Sequence, residues 1–214
     1  MTPPRYKLVI FDFDGTLADS FGWFLDVFDE VADRFKFRKL DRDRLDEFRG
    51  LSTRDLLRHH GVPLWKVPMI AAHARTLQGL HLDAIPVFAG MDTVVAELKT
   101  RGVTLALVTS NAHGNIAHIL GPETLGAFDH VACGASLLGK AAKFRNALKT
   151  TGIDAEDALA IGDELRDIEA ARATGIAAGA VGWGYALPER LRAEAPDHIF
   201  EYPAQITDLF RFAD

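Results

Sequence analysis

Cysteine is almost absent from this chain: of 214 residues only Cys133 carries a thiol. One thiol excludes an internal disulfide and a multi-cysteine zinc site, so a reducing cytoplasmic setting is the expectation. Cys133 closes the run Val131-Ala132-Cys133-Gly134 and reads as the packed end of a buried strand. Basic residues are also in deficit, with 24 Lys and Arg against 30 Asp and Glu and a net charge of −6, which argues against nucleic acid as a partner. Charges or turn residues interrupt every apolar stretch before the ~18 residues that a membrane span needs, so no membrane contact is expected. Met1 to Lys7 do not have the pattern of a signal peptide. Repeats and low-complexity segments are missing too. What remains is 48% hydrophobic and 25% charged, enough apolar content for a sizeable core.

Four short apolar segments end in small or polar residues and predict buried strands: Leu8 to Phe13, Thr104 to Thr109, Ala158 to Ile161 and Ile176 to Val181. A fifth is expected around His130 to Cys133. Helical patterns lie between them, such as Met91, Val94, Val95 and Leu98, stopped by Arg101-Gly102. Strands that alternate with helices imply an α/β fold, a doubly wound parallel sheet covered on both faces.

The alternation breaks between residues 18 and 84. Phe21, Phe24, Leu25, Phe28, Ala32 and Phe35 form one helical stripe, Leu45 and Phe48 suggest another, and a further helix is expected from Val67 to Leu80. Ser52 precedes Leu56-Leu57 as a helix cap, with Asp55 where a capping box prefers Glu, and Gly61-Val62-Pro63 ends that helix. The chain therefore divides into a core, residues 1–17 and 85–214, and an inserted all-helical cap, residues 18–84, hinged at Asp19-Ser20 and His81 to Pro86.

The densest chemical signal is Phe11-Asp12-Phe13-Asp14-Gly15-Thr16-Leu17, at the end of the first strand. In open α/β sheets the ligand crevice lies at the carboxyl ends of the strands. Asp12 and Asp14 start on one face of the strand, and a turn at Gly15 can re-aim the second. Two acids between phenylalanines are costly to bury without a cation or partners, which favours a site over a plain polar turn.

This motif resembles that of the haloacid dehalogenase superfamily, whose phosphatases begin with Asp-x-Asp-Gly-Thr. The later motifs follow in order: Thr109 after Leu105-Ala106-Leu107-Val108, Lys140 after Gly139, and Gly162-Asp163-Glu164-Leu165-Arg166-Asp167 after Leu159-Ala160-Ile161. The resemblance implies a Rossmann-like core with a helical cap and a phosphatase of small phosphate monoesters, phosphoglycolate or similar. Asp12 is then the nucleophile that forms an aspartyl-phosphate, and Asp14 the acid and base. Thr109 and the lysine hold phosphoryl oxygens, with help from backbone amides near Ser110-Asn111 and Phe13-Asp14-Gly15. Hard oxygen ligands favour Mg2+, held by Asp12, the Asp14 carbonyl and Asp163, with Asp167 behind them to orient a water or the lysine.

This chain has Lys140-Ala141-Ala142-Lys143 where many members have a proline after the lysine, which leaves Lys140, the favoured candidate, and Lys143. In the cap, Arg49 and Arg54 flank Gly50 and are candidates for a second anionic group on the substrate. His59, His60, His113 and His118 have no metal spacing and read as surface or packing residues. Trp65 and Trp183 are expected to pack at domain edges. A phosphosugar mutase shares the nucleophile and cap and stays open as an alternative. A silent binding module would usually have lost at least one of these residues, and a dehalogenase has no use for Asp14. The expected partner is a small phosphorylated metabolite, and the oligomeric state is left open.

Overall fold

The structure, a computed structural model, describes residues 5–134 and 139–210. Six parallel strands form one sheet in the order β3-β2-β1-β4-β5-β6: β1 (Leu8–Phe11), β2 (Thr104–Val108), β3 (His130–Ala132), β4 (Ala158–Gly162), β5 (Ala177–Val181) and β6 (His198–Phe200). From β1 the chain winds outward through β2 and β3, then crosses back to β4 and winds the other way. The winding reverses between β1 and β4, where an open sheet leaves a crevice at its carboxyl edge.

Alternation along the central strands separates two apolar layers. Val9 and Phe11 face the layer with Met91, Val94, Leu98 and Ile116, from helices α5 (Met91–Thr100) and α6 (His113–Gly126). Leu8 and Ile10 face Phe144, Ala147, Ile168 and Ala171, from α7 (Lys140–Thr151) and α8 (Leu165–Arg172). Every residue of β1 and β4 is buried, as a strand covered on both faces requires.

The insert from Phe21 to Ala84 is helical, with α1 (Phe21–Phe35), α2 (Leu45–Arg49), α3 (Thr53–His60) and α4 (Val67–Gln78) joined by short 3-10 turns. Ser52 caps α3 as expected: its hydroxyl accepts from the Asp55 amide at 3.2 Å. Gly61 ends α3 at φ +72°, a conformation open to glycine at little cost. At the neck Asp19 N–H donates to Pro86 O at 2.8 Å and Phe88 N–H to Leu17 O at 2.9 Å, so the two crossings pair with each other.

Several expectations need correction. β1 stops at Phe11 because the Phe13 carbonyl accepts from the amides of Leu17 and Ala18, both at 2.9 Å, and so turns the chain. β6 was not foreseen: three residues on an edge carry too little periodicity to stand out. β3 is only half-buried, and Cys133 beyond it is a half-buried free thiol against one apolar layer. Trp65 is 68% exposed rather than packed at a domain edge, with the Lys66 ammonium over its ring. Trp183 does pack, against Phe88, and donates to Thr16 O at 3.2 Å. Among the described residues no helix is long and apolar enough to cross a membrane.

Candidate active site

Asp12 leaves the end of β1, Thr109 the end of β2 and Asp163 the end of β4, while Lys140 opens α7. Parallel strands bring these ends to one edge, so residues far apart in sequence converge there.

Asp12 is 6% exposed, and its Oδ2 lies 2.6 Å from Lys140 Nζ. Lys140 also pairs with Asp167. Lys143, three residues on, donates instead to the Cys133 carbonyl. Burial pushes the Asp12 carboxyl up to about 6, against the pull of Lys140. Burial pulls the lysine down, but Asp12 and Asp167 together carry it above its ordinary value.

Asp163 is fully buried. Its Oδ1 accepts from Thr16 Oγ1 at 3.0 Å and its Oδ2 from the Tyr185 amide at 2.8 Å. Burial, then Glu164, Asp167 and Asp12, hold its carboxyl well above the usual range. Gly15, at φ +78°, lets the backbone run close beside it: a Cβ there would stand 2.1 Å from Asp163 Oδ2. Asp167 accepts from the amides of Asp163 and Glu164 at 3.1 and 2.9 Å. Burial would raise its carboxyl, but Lys140 and Arg166 hold it below the ordinary value. Arg166 pairs side-on with Glu164, Nε to Oε2 at 2.8 Å.

One oxygen from each of Asp12, Asp163 and Asp167 lies within 4.8 Å of the others. Around them four acids, Glu164 included, face two cations, Lys140 and Arg166. Buried negative charge left over in this way, on hard oxygen donors without soft ligands, fits a divalent ion. Asp12, Asp163 and Asp167 are the described carboxylates placed together where such an ion could be held.

Asp14 points elsewhere, as its neighbouring turn permits. Its Oδ1 accepts from Gln78 Nε2 at 2.9 Å and its Oδ2 from Asn111 Nδ2 at 3.0 Å. Asn111 Nδ2 also reaches Gln78 Oε1 at 2.6 Å, and Asn115 donates to Asn111 Oδ1 at 3.0 Å. This amide network links the core acid to Gln78, the last residue of cap helix α4.

Three predicted phosphate or substrate contacts are used otherwise. The Gly15 amide donates to Ala18 O at 2.9 Å, and the Asn111 amide to Thr109 Oγ1 at 2.9 Å. Arg49 donates from Nε to Tyr185 O at 2.9 Å and from Nη2 to Gly184 O at 3.1 Å, with its guanidinium over the Phe21 ring. It clasps cap to core, because core carbonyls lie within reach of its fork. Thr109 is 1% exposed at the strand end, as foreseen. Ser110 borders the cleft between cap and core, and its carbonyl accepts from Arg75 at 3.4 Å.

Sequence reasoning missed Gln78, Asn115 and Tyr185. Gln78 is one of several polar residues on α4, with His73, Arg75 and Thr76, so it gives a weak signal. Tyr185 hydrogen-bonds Ser20 through its hydroxyl at 3.0 Å and packs edge-on against Phe21, and nothing in its local sequence marks it.

A six-stranded parallel sheet that gathers two aspartates, a lysine and a threonine beneath a helical cap defines a class of hydrolase. The haloacid dehalogenase-like hydrolase family matches residues 9–181, and the chain belongs to that family. Within it, the chain is similar to phosphoglycolate phosphatases. It is 31% identical to a phosphoglycolate phosphatase of Synechococcus elongatus, over 94% of this chain and 95% of that one. Phosphoglycolate phosphatase 1 of Pseudomonas aeruginosa is 27% identical over 97% of this chain and 80% of its own length. The fold is similar to that of a solved haloacid dehalogenase-like hydrolase from Streptococcus pneumoniae, with a TM-score of 0.79, 22% identity and coverage of 97% and 99%.

Proposed function

We propose that this protein hydrolyses a phosphate monoester of a small metabolite with the help of Mg2+, through an aspartyl-phosphate on Asp12. The observation that carries this reading is the buried Asp12 carboxylate, 2.6 Å from Lys140 Nζ and beside Asp163 at the sheet's carboxyl edge. A phosphate monoester resists attack because its oxygens repel an anionic nucleophile and its alkoxide leaves poorly, so catalysis needs positive charge, alignment and a proton donor. Asp12 Oδ attacks phosphorus while the bond to the leaving oxygen breaks and Asp14 gives that oxygen a proton. Asp14 then takes a proton from water, which attacks the acyl phosphate to release inorganic phosphate and restore Asp12.

Lys140, Thr109 and the amides of Phe13, Asp14 and Ser110 hold phosphoryl oxygens in this scheme. Gln78 and Asn111 orient Asp14. Asp12, Asp163 and the Asp14 carbonyl would hold Mg2+, which supplies positive charge for the phosphoryl oxygens. The relatives' names make 2-phosphoglycolate the first natural substrate to try.

The test is release of phosphate from a generic aryl phosphate, with Mg2+ and with chelator. We expect turnover only with the metal, and a fall of at least about 10³-fold in Asp12→Asn with the fold kept, as read by circular dichroism. Unchanged turnover in Asp12→Asn would remove the mechanism.

A further inference from the structure

The cleft between cap and core holds a cavity of about 340 Å³. Its floor is the active site, with Asp14, Asn111, Glu164 and Arg166, and its walls are the apolar stripes of the cap, among them Phe24, Phe28, Phe48, Leu57 and Ile70. At ~30 Å³ per water, that space corresponds to roughly eleven waters, far more than a two-carbon acid displaces. It also falls within the ~300–1,000 Å³ typical of pockets that bury an organic ligand.

The guanidinium groups that line the cavity each have a partner within the protein. Arg49 is bound to the Gly184 and Tyr185 carbonyls, Arg75 reaches the Ser110 carbonyl, and Arg166 pairs with Glu164. His60 is buried, with Nδ1 2.7 Å from Arg38 O and no partner at Nε2. Along the cavity Phe24, Leu57 and Ile70 stay half-exposed although their spacing assigns them to the inside of the cap.

Building on the phosphatase reading above, we infer that the leaving group is bulky and apolar: the substrate class is aryl or medium-chain alkyl phosphate monoesters. The phosphoryl group sits at Asp12 while the hydrocarbon body fills the cap cavity. Burial on the cap walls favours such a group over water.

The test is a series of n-alkyl phosphates from ethyl to decyl, with 2-phosphoglycolate beside them, assayed on the wild-type protein with Mg2+. A buried methylene is worth ~0.8 kcal/mol, so kcat/KM should rise about fourfold per carbon until the cavity is full and then level off. The matching alkylphosphonates, which cannot be hydrolysed, should bind more tightly with length in calorimetry, with an increasingly negative heat-capacity change. Ala74→Trp, on the cavity wall, should lower the octyl-to-ethyl ratio of kcat/KM at least tenfold. Ile70→Ser, a milder change, should flatten the slope.

Turnover with a flat series, or with 2-phosphoglycolate preferred, would overturn the inference and leave the phosphatase standing. Phosphonates that bind more tightly with length while no ester is hydrolysed would leave the cavity's role standing and remove the phosphatase reading. An unchanged octyl-to-ethyl ratio in Ala74→Trp, or an unchanged slope in Ile70→Ser, would also count against the inference.

Discussion

The sheet and the cap solve opposite packing problems. All nine residues of β1 and β4 are buried, whereas α1 buries three residues of fifteen and α3 one of eight. The core must hold several like charges at fixed separations in a dry site, which only a tightly packed scaffold can do. The cap surrounds a space, so its apolar stripes face a cavity as well as each other. In the proposed function, chemistry is held by the densely packed region and the choice of leaving group by the hollow one.

The sharpest way to break this contrast is Lys140→Met. Its ammonium separates Asp12 from Asp167, all three nearly or fully buried, and removing it leaves two buried acids without their shared cation. The expected outcome is a loss of about 3–5 kcal/mol in denaturant unfolding, together with near-complete loss of turnover. A variant as stable as the parent would mean that the site is wetter than its burial indicates.

Next in size is a matched pair of truncations. Leu107→Ala, at a fully buried position of β2, should cost about 3–4 kcal/mol, whereas Leu57→Ala, on the cavity wall, should cost about 1 kcal/mol because its side chain already borders empty space. Equal losses in urea unfolding would show the cap to be packed as densely as the core.

A smaller effect is expected on the link between the two regions. Gln78→Leu removes the cap's hydrogen bond to Asp14, so kcat should fall about tenfold with KM little changed, in the range for a lost bond to a charged group. If KM rises and kcat holds, Gln78 contacts the substrate instead of orienting the acid.

The smallest effect is a pH dependence. In the metal-free protein, burial raises Asp12 to about 6 and lifts Asp163 well above its ordinary range. Folded values above unfolded ones mean that the stability these groups contribute is present at low pH and is lost as pH rises through about 6. Asp167, shifted downward, works the other way and acts below this window. The metal-free Tm should therefore drift down from pH 5 to 7, and the Tm gain on adding Mg2+ should grow over the same interval. A gain independent of pH would separate the metal from Asp12 and Asp163.

The amino-acid order alone determined which candidate residues stand at the strand ends. Asp12, Thr109 and Asp163 were legible because each follows a short apolar run, and a parallel sheet must gather such strand ends at one edge. The cap's existence was equally legible, since a helical stripe with capping at Ser52 and Gly61 is written in local periodicity. Only the tertiary structure placed Lys140 beside Asp12 and Lys143 on the Cys133 carbonyl, gave Arg49 to core carbonyls and bound Asp14 to Gln78, 64 residues away. The physical reason is range. Strands, caps and turns are set by neighbours along the chain, whereas the direction of a long side chain, and whether an apolar stripe meets a partner or a cavity, depends on how distant segments close upon each other.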